Sequence, residues 1–131
     1  MTSEQERVHS ASPWEREYGY CRAIRCKGWI VVGGTVALDE RGEPFAPGDA
    51  GAQTARAFEM IESAMRELGA SRTDIVLSRV FLTDMGQIDA VGRAHKAFMG
   101  EHVACLSVVG CPALIHEACV VEIEVEAVTP D

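Results

Sequence analysis

Apolar and polar positions alternate most regularly over residues 119–128, where Val121, Ile123, Val125 and Ala127 interleave with Glu122, Glu124 and Glu126. A period of two puts one set on each face of a β-strand. Earlier in the chain, residues 18–26 and 29–34 read as two strands joined by a turn at Lys27-Gly28. The run Trp29-Ile30-Val31-Val32 is continuously apolar, which predicts a strand covered on both faces. Residues 39–48 are polar and carry Gly and Pro, so a loop is expected there.

The period then changes. Asp49 is placed to cap a helix over residues 50–68, because its carboxylate can accept the orphan N–H groups of the first turn. Ala57, Ile61, Ala64 and Leu68 recur at helical spacing, and Gly69 follows where a left-handed residue ends a helix. A strand rich in β-branched residues is expected over 74–83. A second helix is expected over 87–99, with Ile88, Val91, His95 and Phe98 on one side and Gly100 at its end. Residues 106–111 form a further short strand. The order ββαβαββ, with no repeated βαβ unit, predicts an α+β fold: a mixed β-sheet with two helices packed on one face.

A chain of 131 residues suits one domain spanning 1–131, with 1–16 as a polar N-terminal segment. Folding at that size removes roughly 65–70% of the extended chain's surface from water. The net charge of −8 repels a phosphate backbone, and the basic residues are scattered, so nucleic acid is disfavoured as a partner. The first ten residues lack the apolar run of a signal peptide. No stretch approaches the ~20 apolar residues of a membrane span. Five cysteines, an odd number with no C-x-x-C pair, point to free thiols in a reducing cytoplasm. His102 and His116 with these cysteines do not follow metal-ligand spacing. Neither a metal nor a cofactor is expected.

Four segments together resemble the RidA/YjgF family of enamine and imine deaminases: YGYCRAIRCKGWIVVGG (18–34), GDAGAQTARAFEMIESAMRELGAS (48–71), SRVFLTDMGQIDAVGRAHKAFMG (78–100) and VVEIEVEAV (120–128). The resemblance implies a chorismate-mutase-like fold assembled as a homotrimer, with small ligands bound in clefts between subunits. It also implies a mechanism. An arginine on the penultimate strand grips the substrate carboxylate, a glutamate on the last strand activates water, and a tyrosine near the first strand closes the pocket.

Carried over by resemblance, the tyrosine falls on Tyr20 and the glutamate on Glu122. The arginine falls on Leu106, and a slip of one residue gives Cys105 or Ser107. No Arg or Lys occurs between Lys96 and Asp131, so the clamp is absent from this strand, although Arg22 or Arg25 could reach the cleft from elsewhere. Hydrogen bonds to a charged group contribute ~1.5–3 kcal/mol each, so losing a bidentate pair costs factors of hundreds or more. The expectation is a ligand that is neutral or less acidic than a small imino acid. An unpaired Glu122 in an apolar cleft should have a raised pKa, which suits an acid/base.

Each candidate also has a plainer reading. Alternating glutamates are usually a solvated face, and Glu124 and Glu126 are read as structural. Tyr20 is a packing residue or a pocket wall. Cys105 and Cys111 flank the strand of the missing arginine, as small hydrophobes or as a thiol nucleophile. His95 is read as a packed, hydrogen-bonded histidine. Gly33-Gly34 lacks the remaining glycines of a phosphate loop, so a backbone bend or a close approach to ligand is expected. Three functions remain open: an enzyme acting on a small imine, enamine or related carbonyl compound; a non-catalytic module that binds a small molecule; and a hydrolase or cyclase using the same cleft.

Overall fold

The computed structural model describes residues 4–130. Six strands form one sheet: β1 (Gln5–Val8), β2 (Ala23–Cys26), β3 (Trp29–Val36), β4 (Ile75–Leu82), β5 (Cys105–Gly110) and β6 (Val121–Val128). Their spatial order is β1-β2-β3-β6-β4-β5. All neighbours are antiparallel except β4 and β5. That parallel pair needs a crossover, supplied by helix α3 (Ile88–Met99). The other helices are α1 (Trp14–Tyr18) and α2 (Ala50–Glu67).

From residue 23 onward the order is the expected ββαβαββ, and the sheet is mixed. The N-terminal segment differs. Residues 1–3 of it lie outside the described residues, but the rest contributes β1 and the single-turn α1. Residues 18–22, expected in a strand, form the end of α1 and the link into β2. Three of the four β1 residues are exposed, so no alternation marks this strand. A five-residue helix is likewise too short to display a period.

The core lies between the sheet and the two longer helices. Ile30 and Val32 of β3, Val80 and Leu82 of β4, and Val121 and Ile123 of β6 are 0% exposed. They share one cluster with Phe58, Ile61 and Met65 of α2 and Val91 of α3. The α2 stripe is buried as expected, whereas Ile88 at the start of α3 stays 45% exposed. His95 packs inside, its Nε2 3.1 Å from Ser78 Oγ. Burial without a compensating charge lowers its pKa.

Two polar side chains fasten the loops to this core. Gln53 is fully buried, yet its carboxamide donates to the Ala46 and Ala118 carbonyls and accepts from Val120 N. Arg25 donates to the carbonyls of Lys27 and Leu68 and to Thr129 Oγ1, joining the β2–β3 turn to the end of α2. In that turn the positive φ of 55° belongs to Lys27. Gly28 is required for a different reason, since a Cβ there would lie 2.5 Å from the Thr129 carbonyl oxygen.

The chain covers only one face of its sheet. On the other, Trp29 is 52%, Val109 43% and Val128 51% exposed, so the apolar run in β3 is not enclosed by the chain itself. The α2 cap offers a direct test of the local reading. Asp49 accepts from Ala52 N at 3.0 Å. Asp49→Ala should cost about 1 kcal/mol and lower the thermal midpoint by roughly 2–8 °C in an unfolding scan.

Candidate functional site

Side chains on the open face are fixed by strand register. Glu122, Glu124 and Glu126 of β6 lie level with Phe81, Arg79 and Leu77 of β4. Each of these is in turn level with Val109, Ser107 and Cys105 of β5. On the other side of β6, the pairing with β3 shifts between Val32 and Thr35. Gly33 and Gly34 together oppose Glu124, a bulge of two residues against one.

The bulge makes room for Glu122. A Cβ at Gly34 would lie 2.5 Å from Glu122 Oε2 and 3.0 Å from its Cδ, so the carboxylate occupies the space a side chain would fill. The Gly33-Gly34 pair is therefore a backbone bend, as expected, and what approaches it closely is Glu122.

The three glutamates meet different partners. Glu124 is ion-paired with Arg79. Glu126 accepts from Trp29 Nε1 at 3.2 Å. Glu122 is half-buried, and no described residue donates a hydrogen bond to it. Burial pushes its pKa above the ordinary carboxylate value, nearby Arg22 partly opposes this, and Glu124 adds to it. A carboxyl that holds its proton more tightly than usual is a stronger base once ionised, which suits proton transfer.

The structure brings some of the other candidates to Glu122 and separates the rest. Arg22 does come to it. Its backbone pairs with Gly33, whose N–H donates to the Arg22 carbonyl at 3.0 Å, and its Nη2 donates to the Gly34 carbonyl. Arg25 is committed to its three acceptors at the other end of β2. Tyr20 lies two residues before Arg22, is 42% exposed and makes no side-chain hydrogen bond among the described residues. Its amide donates to the Glu15 carbonyl at 2.9 Å. The buried Glu15 is held by His9 Nδ1 and by the amide and hydroxyl of Ser10.

Leu106 is on the wrong side. It is level with Ser78, which is 0% exposed beneath α3, so its side chain leaves the face opposite to Glu122. Period-two strand geometry is the reason: only Cys105, Ser107 and Val109 of β5 share the open face. Cys105 shares it but is level with Glu126, four residues along the strands from Glu122, or about 13 Å. Cys111 sits nearer, its amide donating to the Leu82 carbonyl at 3.1 Å. Among the described residues, neither thiol has a basic partner within hydrogen-bond reach.

One neighbour of Glu122 escaped the sequence reading. Cys119 is 1% exposed, and its thiol pKa is raised by burial first and by the Glu122 charge second. It lines a cleft of about 360 Å³ with Thr83, Pro112, Leu114 and His116. The strand expected over 119–128 begins at Val121 instead, and Cys119 was read from sequence only as one of five free thiols. Among the described residues, no group of three or more His, Cys, Asp or Glu gathers to hold a metal ion. No described helix is long and apolar enough to cross a membrane.

The model of the family described as Endoribonuclease L-PSP matches residues 11–129. An uncharacterized Streptomyces coelicolor protein, SCO2049, is 35% identical over 129 residues, spanning 97% of this chain and 95% of its own. The 3-aminoacrylate deaminase RutC of Acinetobacter baylyi is 28% identical over 82 residues, 63% of this chain and 65% of its own. Among solved structures, Rv2704 of Mycobacterium tuberculosis, of the YjgF/YER057c/UK114 family, is 34% identical. It superposes with a TM-score of 0.85 over 95% of this chain and 99% of its own.

The environment of Glu122 has a signed consequence for stability. A carboxyl whose folded pKa is raised destabilises the fold wherever it is ionised, and it ceases to do so once protonated. Glu122→Gln should therefore raise the thermal midpoint at neutral pH by a few degrees. That gain should shrink as the pH falls and vanish by about pH 4. Melting curves of both proteins across this range check the direction.

Proposed function

This chain belongs to the Endoribonuclease L-PSP family, the YjgF/RidA proteins, and we propose that it acts on a small imine, enamine or related carbonyl compound with Glu122 as the acid/base. The observation that carries this reading is the contrast along β6. Two glutamates of the open face are satisfied by Arg79 and Trp29, while the third is left half-buried with its pKa raised. Leaving a carboxyl in that state is costly unless it has a task.

In the proposed reaction the Glu122 carboxylate takes a proton from water as the water oxygen attacks the imine carbon. Glu122 returns that proton to nitrogen, giving a carbinolamine with hydroxyl and amine on one carbon. It then takes the hydroxyl proton as the carbonyl forms and delivers it to the departing nitrogen, so the C–N bond breaks and a carbonyl compound and ammonia leave. An enamine enters the same route after tautomerising to its imine. Tyr20 orients the ligand.

We place the site in a cleft between subunits of a homotrimer. Supporting this, the sheet presents Trp29, Val31, Leu77 and Val128 on a face that the described residues do not cover, and Tyr20 makes no side-chain hydrogen bond among them. A small molecule is favoured over RNA as substrate despite the family's description, because three glutamates line this face and the chain carries a net charge of −8. Free thiols at all five cysteines fit a reducing cytoplasm.

The decisive experiment follows ammonia release from freshly generated 2-aminoacrylate and from a neutral imine. Wild type should accelerate hydrolysis of at least one of them, and Glu122→Gln should lose about 10²–10⁴-fold of that rate. An unimpaired Glu122→Gln variant would remove Glu122 from the chemistry. A compound that binds tightly and is recovered unchanged would make the protein a binding module.

A further inference from the structure

A cleft of about 320 Å³ lies between the end of β1 and α2, and none of its lining residues belongs to β6. Its two walls differ in charge. From the β side come His9 and Arg22. From α2 come Glu59, Ser63 and Glu67, spaced by four so that they share one helix face. Arg56, three residues before Glu59, pairs with it at 3.2 Å at that end of the row. The side chains of Ser63 and Glu67 have no partner among the described residues. Val8, Met60 and Ala64 add apolar surface.

Arg22 is the unsatisfied member of this set. Of the partly buried arginines among the described residues, Arg56, Arg72 and Arg79 each meet a carboxylate, and Arg25 has three acceptors. Arg22 has one hydrogen bond, from Nη2 to the Gly34 carbonyl. Its Nε is enclosed with no partner, and Nη1, which has none either, is not enclosed. Its charge is felt by Glu122 and Glu15, yet it forms an ion pair with neither. Glu15 cannot serve, because His9 and Ser10 already occupy its oxygens.

A guanidinium is always charged and presents several donors in a fixed fork. Leaving one half-buried with a single neutral acceptor costs free energy that an arriving anion would recover. A ligand carrying negative charge alone would be repelled by Glu59 and Glu67 across the cleft. A ligand of both signs meets a partner on each wall.

We propose that the cleft between β1 and α2 binds a small zwitterion, an ammonium and a carboxylate joined by a short chain as in a free amino acid. The carboxylate lies toward Arg22, the ammonium toward Glu67 and Glu59, and an aliphatic side chain rests on Val8, Met60 and Ala64. This goes beyond the chemistry assigned to Glu122 and does not rest on it.

The test is equilibrium binding followed by backbone amide shifts in NMR spectra. L-Norvaline, N-acetyl-L-norvaline (no cation) and L-norvalinamide (no anion) are titrated into wild type, Arg22→Gln, Glu67→Gln and Ser63→Trp. L-Norvaline should give saturable shifts centred on His9, Ser63 and Glu67. The amide should bind about 10-fold or more weakly, having lost a hydrogen bond to a charged group. The N-acetyl derivative should bind about 2–5-fold more weakly, having lost an exposed ion pair. Arg22→Gln should erase the preference over the amide, and Glu67→Gln should narrow only the preference over the N-acetyl derivative. Ser63→Trp, a bulky side chain at an exposed helix position, should melt like wild type and bind none of the three. A wild-type spectrum that L-norvaline leaves unmoved, or that all three compounds move alike, overturns the proposal. So do shifts centred on β6, which would place the ligand at Glu122. An N-acetyl derivative that binds as well as the amino acid would make this a plain anion site and overturn the zwitterion.

Discussion

Val121, Ile123, Val125 and Ala127 are no more than 2% exposed against the helices, and their burial decides which way Glu122, Glu124 and Glu126 point. β6 runs between β3 and β4, so its register is held from both sides. A slip by one residue would drive three carboxylates into the core and bring four apolar side chains out. Burying those charges without partners costs far more than any local preference could return. The candidate chemistry is thus oriented by hydrophobic burial on the side of the sheet where no chemistry occurs. The bulge at Gly33-Gly34 then completes the site, since only a backbone without Cβ atoms leaves space beneath Glu122.

Identical residues on one strand acquire different properties from what lies beside them. Glu124 is neutralised by a cation, Glu126 is tied by an indole, and Glu122 has open space and a guanidinium at a distance. Arg22 and Arg25 show the same principle from the cationic side. Only three residues apart, Arg25 within β2 is a fully engaged structural tie and Arg22 just before it is nearly unengaged. Residue type sets what a group can do, and its neighbours set whether it is free to do it.

Much of this was legible from sequence wherever a period was long enough. The α2 stripe, its Asp49 cap, the Gly69 terminus and the β6 alternation all lie where their patterns place them. β1 and α1 were not legible, being short and largely exposed. Leu106 shows a different limit. A residue on an edge strand takes its face from the register with its neighbour, and the six residues of β5 carry no alternation that reveals it. The state of Arg22 was also out of reach, because an absent partner leaves no mark in a sequence. The family resemblance located Glu122, while three-dimensional neighbours distinguished it from Glu124 and Glu126.

The position of β6 has a further consequence, for biosynthesis. The strand at the middle of the sheet comes after every other strand in chain order, so β3 and β4 have no shared neighbour until residues 121–128 have left the ribosome. Both of its ladders join it to strands made long before, and such distant pairings are slow to form. The nascent chain therefore carries two incomplete half-sheets with unpaired edges, a state prone to misassociation. The sheet is joined into one only when β6 has emerged. Chaperone demand and expression yield should respond more sharply to changes in β6 than to equally buried changes in α2.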